Sequence, residues 1–316
     1  MNPNKIRKAG PFEVSSLTTD HTLLAHLLAN IIRQIPELPD FSDDKKIAVL
    51  SDFGGEHSNA LFNTYSFLFM AYNKVGPFSE KIAVLRKTHN LVQPYSEFAY
   101  KRLRSGARSR ALPELLQLID SFIHGALITI AIDKRIDTVF GSSKHETHLQ
   151  LSSQLAAHGL GQWSGYAAEK VLRVCHIIGL LASHLTSDQQ RLLWYCDNDE
   201  INADGLDRDF SDTQQIFVKV ISLYVKHGFE ILGFGKSFEG KSHLDDLLSI
   251  TDLAAGVVQD LLQNFRTGEN IPGGDEKIAL MRWIATPARF LSKIAAQIVP
   301  MPDGSIGSGI VTFTPK

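Results

Sequence analysis

Three aspartates stand where a buried element ends or where the chain is otherwise apolar. Asp52 closes the predicted strand IAVLSD, and Asp197 follows the predicted strand LLWYC. Asp252 lies in the apolar stretch LLSITDLAAGVV, on the same face of a predicted helix as Leu248 and Gly256, so we expect its side chain to point towards the protein. Converging carboxylates repel one another, and a bound cation relieves that repulsion. Oxygen ligands favour Mg²⁺ or Mn²⁺, and two such ions could support phosphodiester hydrolysis.

Each of these aspartates also has an ordinary interpretation. Asp52 could cap the turn made by the glycine pair that follows it, and Asp197 could be a solvated strand end. Asp252 could make a buried hydrogen bond between a helix and a loop. Asp199 could replace Asp197, because residues two apart on a strand point to the same face. The occurrence of all three acids in this order favours a metal site over the separate ordinary interpretations.

A basic segment lies between the first two of these aspartates. The stretch KRLRSGARSR carries five cationic side chains that could contact the phosphates of a nucleic acid, namely Lys101, Arg102, Arg104, Arg108 and Arg110. A solvated charged loop is an equally good interpretation of the same residues.

The motif GFGKS, which follows a predicted strand, invites comparison with a phosphate-binding P-loop. A P-loop requires a glycine five positions before its Gly-Lys pair, and Glu230 occupies that place. An acid there would repel phosphates, so the spacing argues against nucleotide hydrolysis through this loop. Lys236 and Ser237 could still line the metal cleft.

Histidine and cysteine patterns predict no second metal site. His145, His148 and His158 lie in a polar stretch without cysteine partners, which favours a mobile, solvated loop over a zinc site. Cys175 and Cys196 are too few for a disulfide framework. We expect both to be small buried hydrophobic residues.

The composition is typical of a soluble globular protein. Hydrophobic residues make up 44% and charged residues 21% of the 316-residue chain, which excludes a largely disordered, collagen-like or coiled-coil protein. The formal net charge of −2 provides no whole-molecule basic field for nucleic acid or an anionic membrane. The N-terminal residues lack the apolar segment of a signal peptide, and the longest apolar runs are too short to span a bilayer. We therefore expect a cytoplasmic protein that does not contact membranes.

Strands and helices alternate along the sequence. The amphipathic helix TLLAHLLANIIRQI precedes two apolar strands, IAVLSD and LFNTYSFLFMAY, whose short connection predicts an antiparallel hairpin. Later strands are predicted in GALITIAIDK, RLLWYC and FEILGFGKS. Helices are predicted in SEKIAVLRKTHNLV before Pro94, ALPELLQLIDSFI with Pro113 in its first turn, AAEKVLRVCHIIGLLASHL, SDTQQIFVKVISLYVKHG with a serine cap, SHLDDLLSITDLAAGVVQDLLQNF, and EKIALMRWIATPARFLSKIAAQIV interrupted at Pro287. This alternation predicts a mixed α/β sheet covered by helices.

The succession of these segments resembles the domain-of-unknown-function 3800 family of the ribonuclease H-like superfamily. The resemblance spans about residues 47–262 and is carried by IAVLSDFGG, SEFAYKRLRSGARSRALPELL, ALITIAIDK, LLWYCDND and above all FEILGFGKSFEGKSHLDDLLSITDLAAGVV. It implies that Lys134 is the lysine that ends a strand in this family. It also implies a tetrad of metal-binding carboxylates at Asp52, Glu97, Asp197 and Asp252.

The chain departs from the family pattern in two places. Members commonly continue the first aspartate directly with glutamate and serine, whereas Phe-Gly-Gly follows here and Glu56 comes only four residues on. Thr251 stands where the family has alanine before the last aspartate. Glu80 or Glu114 could serve in place of Glu97 if the alignment shifts.

These observations predict a ribonuclease H-like α/β fold, a mixed sheet flanked by helices, with helical additions. The core domain is expected in residues 46–265 with a helical insertion at about 140–188, an N-terminal helical extension in 1–45, and a C-terminal helix and tail in 266–316. The predicted function is a nuclease or phosphodiesterase that uses two Mg²⁺ or Mn²⁺ ions. The alternative is a catalytically inactive accessory module of a defence or mobile-element system, which recruits nucleic acid, a protein partner or a second copy of the chain.

Overall fold

A seven-stranded mixed sheet organises the chain in the computed structural model. The structure describes residues 7–14, 17–18, 21–93, 95–104, 106–205, 207–237, 241–271 and 273–314. In chain order the strands are β1 (Lys46–Gly54), β2 (Phe62–Ala71), β3 (Gly125–Asp133), β4 (Arg191–Cys196), β5 (Ile231–Lys236), β6 (Leu291–Pro300) and β7 (Ile306–Val311). Across the sheet they lie in the order β5-β4-β1-β2-β3-β6-β7. Outside this sheet, Lys8–Ala9 pairs with Leu38–Pro39 in a short antiparallel ladder.

Strand direction decides which residues meet at the edge of the sheet. β1 and β2 form an antiparallel hairpin in which Asp52 lies opposite Ser66. β4 runs parallel to β1 and pairs Cys196 with Ser51, and β5 runs parallel to β4. β3 is antiparallel to β2 and parallel to β6, and β7 is antiparallel to β6. The carboxyl ends of β1, β3, β4, β5 and β6 therefore share one edge, which is where ligands bind in open α/β sheets.

Helices cover both faces of this sheet. They are α1 (Leu23–Gln34), α2 (Gly76–Thr88), α3 (Gly106–Phe122), α4 (Lys144–Ala157), α5 (Gly165–Leu185), α6 (Phe210–Tyr224), α7 (His243–Thr267) and α8 (Asp275–Ala285), with short 3₁₀ turns at Tyr72–Lys74, Tyr100–Arg102 and Glu200–Asn202. Ile47 and Val49 of β1 pack in a core with α1, α5 and α6, whereas Ala48 and Leu50 pack with α2, α3, α7 and α8. None of the helices in the described ranges is long and apolar enough to cross a membrane.

Capping residues and glycines set the element boundaries that matter for the site. The Ser242 side chain accepts a hydrogen bond from the first turn of α7, and Gly268, with φ +72°, ends that helix. Gly55 has φ +82°, and a Cβ there would lie 1.9 Å from the carbonyl oxygen of Phe62. The β1–β2 turn therefore requires a glycine at position 55, which the Phe-Gly-Gly sequence after Asp52 supplies.

The predicted mixed sheet with helices on both faces is confirmed, including the opening hairpin and the helices α1, α2, α5, α6 and α7. α3 begins at Gly106, earlier than expected, so Pro113 lies inside the helix rather than in its first turn. The cap of α6 is Asp209 rather than the predicted serine. Pro94, which was expected to interrupt the chain after α2, lies outside the described residues.

The helix predicted in the C-terminal segment is confirmed up to Ala285, but its predicted continuation after Pro287 and the predicted tail are wrong. α8 ends at Ala285, and the residues from Leu291 onwards form β6 and β7. Pro287 cannot continue the helix, because it lacks the backbone N–H. The apolar residues that follow fit a strand as well as a helix, with Ile294 and Ile298 on one face. Hydrogen bonding to β3 decides between the two, and local sequence does not report that contact.

The histidine-rich stretch is not the mobile loop that its composition predicts. Lys144–Ala157 forms α4, which packs against α5. α5 itself is a core helix, with Val171, Val174 and Ile178 fully buried under the sheet. The predicted insertion at 140–188 thus combines a surface helix with a helix that covers the sheet.

Candidate functional site

The four predicted carboxylates line one cleft of about 290 Å³ at the edge of the sheet. We call this space the acid cleft. Its lining residues are Asp52, Phe53, Glu97, Ala99, Lys101, Arg102, Asp197, Asn198, Asp199, Leu248 and Asp252. They come from β1, from the loop before α3, from the loop after β4 and from α7. The fold therefore brings together acids that are far apart along the chain.

The parallel pairing of β1 with β4 places Asp52 beside Asp197. Ser51 pairs with Cys196, and the N–H of Asp197 donates to the Ser51 carbonyl oxygen at 3.3 Å. Asn202 holds the following loop by donating its Nδ2 to the carbonyl oxygen of Asp197 at 2.7 Å. Each of the two strand ends thus contributes one carboxylate to the acid cleft.

α7 packs against β1 and contributes Asp252 to the acid cleft. A Cβ at Gly54 of β1 would lie 2.7 Å from Thr64 Oγ1 on β2, whereas the 3.7 Å distance from this Cβ to the Cβ of Ala255 on α7 is an ordinary contact. Asp252 is partly exposed, whereas the adjoining Leu253 is fully buried. The side chain of Asp252 therefore faces the acid cleft, as the sequence pattern indicates.

Tyr100 fixes the loop that carries Glu97. Its backbone N–H donates to Asp252 Oδ2 at 2.6 Å, and its hydroxyl donates to Asp260 Oδ2 at 2.5 Å. Between these two contacts, a Cβ at Gly256 would lie 2.3 Å from the Tyr100 ring. The three α7 residues are four positions apart and form one stripe on the helix. These α7 residues fix the position of Tyr100. Because Glu97 is only three residues before Tyr100, they also restrict the position of Glu97 at the acid cleft.

A buried arginine anchors the other end of the same loop. Arg86 Nε donates to Asp246 Oδ1 at 2.8 Å, and its Nη1 donates to the carbonyl oxygens of Leu91 and Ser96 at 3.1 and 3.0 Å. The Tyr95 hydroxyl donates to Asp246 Oδ1 at 2.9 Å. Because Asp246 also belongs to α7, both ends of the loop are tied to the helix that carries Asp252.

Burial and mutual repulsion raise the pKa of two acids in the cleft. Burial, followed by the charges of Asp252 and Asp197, raises the pKa of Asp52 well above its ordinary value. Burial also raises the pKa of Asp252 to about 6, with the charges of Glu97 and Asp197 adding to the effect against an opposing backbone hydrogen bond. In the described part of the chain, Asp52 and Asp252 each accept from a backbone N–H rather than from a cation. Asp52 and Asp252 therefore form no ion pair with a described residue, and the nearby charge of Lys101 offsets only part of the effects that raise the pKa of Asp252.

The donor chemistry of the acid cleft fits a hard divalent cation. Carboxylate oxygens are the ligands that Mg²⁺ and Mn²⁺ prefer. Among the described residues, however, no three acidic, histidine or cysteine side chains are grouped closely enough to hold a metal ion. Binding of a cation would therefore require the carboxylates to rotate towards one another.

Two of the five predicted phosphate-binding residues line the acid cleft, and three do not. Lys101 and Arg102 line the acid cleft and are exposed. Arg108 Nη1 donates from α3 to the carbonyl oxygen of the cleft glutamate at 3.4 Å. Arg104 and Arg110 are exposed but do not belong to the lining of the cleft. Only the first two residues of the basic segment, Lys101 and Arg102, therefore line the acid cleft.

Asp199, the alternative to Asp197, is already neutralised. It lines the acid cleft, but its Oδ2 pairs with Lys170 Nζ at 2.7 Å. Its Oδ1 accepts a backbone hydrogen bond and caps the 3₁₀ turn Glu200–Asn202. The geometry therefore favours Asp197 as the strand-end carboxylate available to a ligand.

The two alternatives to Glu97 lie outside the acid cleft. Glu114 is on α3, where its Oε2 is 3.1 Å from His89 Nε2. Glu80 is exposed on α2. Glu97 is the one of these three glutamates that lines the cleft.

Lys236 and Ser237 line a neighbouring groove that shares Asp197 with the acid cleft. Lys236 Nζ lies 2.9 Å from Asp204 Oδ2, and the Ser237 hydroxyl donates to Asp245 Oδ1 at 2.6 Å. Both side chains therefore have partners of their own beside the acid cleft.

A second cavity, of about 270 Å³, lies on the α5 side of the β1–β2 hairpin. We call it the lysine pocket. Its lining residues are Glu56, Asn63, Tyr65, Lys134, Ile136, Asp137, Lys144, His148, Tyr166, Glu169, Lys170 and Arg173. Lys134, which the resemblance groups with the acids, lines this cavity and not the acid cleft.

The predicted solvated loop of histidines is wrong for His148. His148 lies on α4, and its Nε2 is 2.8 Å from Glu169 Oε2. The sequence pattern missed this pair because its two members are 21 residues apart. His145 and His158 are exposed, and the predicted burial of Cys175 and Cys196 is confirmed.

The residues that position Glu97 were also missed from the sequence. Gly256 carried a signal, because a small residue four positions after Asp252 predicts a close approach to α7. No sequence pattern indicates that Tyr100 is the residue that packs against Gly256. The sequence does not indicate that Arg86 anchors the loop, because its partners Asp246 and Ser96 are distant from it along the chain.

No protein-family model matches the chain, and no curated protein matches it at a significant level. The resemblance to the domain-of-unknown-function 3800 family therefore stays a prediction from the quoted motifs.

Proposed function

We propose that the protein is a divalent-cation-dependent phosphodiesterase that cleaves nucleic acid in the acid cleft. The observation that carries the proposal is the meeting of Asp52, Glu97, Asp197 and Asp252 from separate parts of the chain. Acids kept close together without a neutralising cation reduce the stability of the fold. Ionisable groups with perturbed pKa values in a cleft are candidates for function.

The aspartates would hold the cations, and the glutamate would complete the site. Asp52, Asp197 and Asp252 stand on rigid elements or directly beside them, as precise ligand placement requires. When bound, one or two Mg²⁺ or Mn²⁺ ions would lower the pKa of a water molecule and stabilise charge on the leaving oxygen. Glu97, on a loop held from both ends, is suited to orient that water or to accept its proton.

Lys101 and Arg102 would bind the phosphate group of the substrate. Both side chains are exposed and line the same cleft as the acids. Ammonium and guanidinium groups make charge-assisted hydrogen bonds to phosphate oxygens, and such contacts position a nucleic acid without reading its sequence. The recognised group is therefore the phosphodiester backbone, in DNA or in RNA.

The ribonuclease H-like assignment of the fold is part of this proposal. It is supported by the opening antiparallel hairpin β1–β2, by the parallel strands β4 and β5 beside β1, and by the packing of α7 on β1. The acids also stand on the elements that the resemblance implies. Asp52 lies near the end of the first strand, Asp197 follows a central strand, and Asp252 lies on the closing helix.

A non-catalytic interaction module with the same fold is the second candidate. The observation that favours it is the absence, among the described side chains, of a ready-made group of three metal ligands. Such a module would bind nucleic acid or a protein partner without cleaving it. Retained nucleic-acid binding by an inactive wild-type protein would identify this case.

A cleavage assay tests the proposed activity. Wild-type protein is incubated with single-stranded and double-stranded DNA and RNA in Mg²⁺, in Mn²⁺ and in EDTA. We expect cation-dependent cleavage of at least one substrate, and a loss of about 10³-fold in Asp52→Asn and Asp252→Asn, because asparagine keeps the shape but removes the anionic ligand. Asp43→Asn, at an exposed acid outside the cleft, is the matched control and retains activity. Wild-type inactivity on every substrate, or full activity in Asp252→Asn, overturns the proposal.

The salt dependence of binding tests the phosphate contacts. Lys101→Gln and Arg102→Gln should each weaken nucleic-acid binding and reduce the slope of log affinity against log salt by about 1. Arg110→Gln, which removes an exposed cation outside the cleft, should change neither quantity by as much. An unchanged slope in the two cleft variants would show that the cleft cations do not contact phosphate.

A further inference from the structure

Two lysines in the lysine pocket form no salt bridge in the described part of the chain. Lys134 Nζ donates to the carbonyl oxygen of His57 at 2.8 Å. Lys144 is exposed on the first turn of α4, where none of the described residues forms a hydrogen bond or an ion pair with its side chain. Burial lowers the pKa of Lys134 below its ordinary value, and the nearby charge of Glu56 opposes this effect. Both ammonium groups are therefore available to an anion.

Most other charges of the pocket are satisfied within the protein. Glu169 pairs with Arg173 through Nη2 and lies 2.8 Å from His148 Nε2. Lys170 pairs with Glu56. These contacts neutralise the buried charges of α5. An anionic ligand would therefore interact mainly with Lys134 and Lys144.

Asn63 adds an unsatisfied hydrogen-bond acceptor to the same lining. Its Oδ1 atom is buried and has no hydrogen-bond partner among the described residues. Leaving a buried acceptor unpaired costs on the order of 1–3 kcal/mol, so such atoms usually have a partner. A hydroxyl or amino group of a ligand would supply the missing donor.

We infer that the lysine pocket binds a small phosphomonoester, with its phosphate at Lys134 and Lys144 and one of its hydroxyls donating to Asn63 Oδ1. A phosphate dianion offers enough acceptor oxygens for two ammonium groups. Asp137 is exposed and also lines the pocket, so its charge would oppose phosphate binding there. The volume of about 270 Å³ suits a sugar phosphate or the end of a nucleotide, and it is too small for a length of nucleic acid.

This chemistry has two sources, a free phosphorylated metabolite or the phosphorylated end of a nucleic-acid strand. The second source is compatible with the position of the pocket, because Lys170 pairs both with Glu56 of the pocket and with Asp199 of the acid cleft. The inference itself does not depend on catalysis in the acid cleft. Its test is therefore a binding measurement and not an activity assay.

The test is a calorimetric titration of the full chain with inorganic phosphate, adenosine 5′-monophosphate and adenosine. We expect the monophosphate to bind, inorganic phosphate to bind more weakly, and adenosine not to bind. The double variant Lys134→Met, Lys144→Met should weaken binding of the monophosphate at least about tenfold, since it removes two charge-assisted contacts. Lys144→Arg keeps the charge and should retain binding within about threefold.

Two further variants keep the outcome interpretable. Lys87→Met removes an exposed lysine on α2, outside the lysine pocket, and should leave binding unchanged. Asn63→Asp places a carboxylate in the pocket and should weaken phosphate binding without truncating a side chain. If the double variant does not fold, Lys144→Met alone and Asn63→Asp carry the test. Absence of phosphate and monophosphate binding by the wild type, or equal binding by the pocket variants, overturns the inference.

Oligonucleotides then separate the two sources. A short single strand with a 5′-phosphate, the same strand with a 3′-phosphate and the unphosphorylated strand are titrated into Asp252→Asn, which prevents cleavage if the proposed nuclease is active. Tighter binding of a phosphorylated strand that is lost in Lys134→Met, Lys144→Met assigns the pocket to a strand end. Equal binding of all three strands, together with binding of the monophosphate, assigns it to a free metabolite.

Discussion

Asp52 and Asp133 lie at or near the ends of parallel strands of the same sheet, yet their surroundings are opposite. Asp133 ends β3, where Arg135 Nη2 lies 2.9 Å from its Oδ2 and Arg266 pairs with the same oxygen. Burial alone would raise the pKa of Asp133, but hydrogen bonds from both arginines lower it to about 2. Asp52 lies near the end of β1 among other acids, and its pKa is raised by burial and by their charges.

The difference teaches that the strand-end position of an aspartate does not decide its role. What decides is whether the fold supplies a cation. Around Asp133 the chain provides two arginines, and the acid stabilises the connection of β3 with α7 through Arg266. Around Asp52 the chain provides Asp197 and Asp252, whose negative charges repel the Asp52 carboxylate. We interpret the first as a structural acid and the second as part of a ligand site.

The largest expected effect on stability is a gain in Asp252→Asn. A folded-state pKa of about 6 in place of the ordinary 3.8 corresponds to repulsion and desolvation on the order of 3 kcal/mol at neutral pH. Asparagine removes the charge and can still accept the hydrogen bond from Tyr100. The free energy of unfolding, measured with urea in EDTA at pH 7.5, should therefore increase in the variant. A decrease would mean that the acid cleft is not repulsive.

The pH dependence of stability should follow from the same pKa. Because the folded chain holds the Asp252 proton up to a pH of about 6 and the unfolded chain releases it near 3.8, stability falls as the pH rises through this interval. The slope can reach about 1.4 kcal/mol per pH unit, so a loss of about 2 kcal/mol is expected between pH 4.5 and pH 6. Urea unfolding at several pH values should show this loss in the wild type and a reduced loss in Asp252→Asn. Equal slopes in the two proteins would contradict the assignment.

Asp133→Asn should decrease the free energy of unfolding at neutral pH, the opposite of the effect expected for Asp252→Asn. It removes a carboxylate that both arginines hold, and the expected destabilisation is about 1–2 kcal/mol, because solvent screens the exposed Arg135. The contribution of Asp133 is present above pH 3.8 and is lost only as the pH falls towards 2. The measurement is again the free energy of unfolding in urea. A stabilised Asp133→Asn would remove the distinction between the two acids.

Gly256→Ala should produce the smallest change in stability, about 1 kcal/mol of destabilisation. The new Cβ would lie 2.3 Å from the Tyr100 ring, which must shift away from α7. Since Tyr100 holds the loop of Glu97, cleavage should fall about tenfold in protein that remains folded. Gly76→Ala is the matched control, because nothing lies within 4 Å of a Cβ at the start of α2. Unchanged cleavage in Gly256→Ala would show that this contact does not position Glu97.

The sequence was sufficient for features that depend on local pattern. Alternation of strands and helices predicted the mixed sheet, and strand ends or an acid in an apolar stretch singled out Asp52, Asp197 and Asp252. The resemblance placed Glu97 in the same group, although its loop is held by contacts that no local pattern reports. Whether these acids bind cations stays a prediction.

Features that depend on distant partners were not predictable. The segment after Pro287 looked helical because its apolar residues fit both periods, and pairing with β3 makes it a strand. The resemblance makes Lys134 a secondary candidate for the site, as the lysine that ends a strand, but its side chain lines the lysine pocket. That pocket is assembled from the β1–β2 turn, β2, the loop after β3, α4 and α5, so no single segment of sequence could indicate it.

Direct titration with Mn²⁺ tests the central claim that the unneutralised acids form a cation site. Calorimetry in the absence of nucleic acid should show that the wild type binds one or two Mn²⁺ ions and that Asp52→Asn and Asp252→Asn bind at least about tenfold more weakly. Mn²⁺ should raise the unfolding temperature of the wild type more than that of the variants, because it relieves the repulsion. Asp43→Asn should behave like the wild type. No Mn²⁺ binding by the wild type, or equal affinity in Asp252→Asn, would contradict the account.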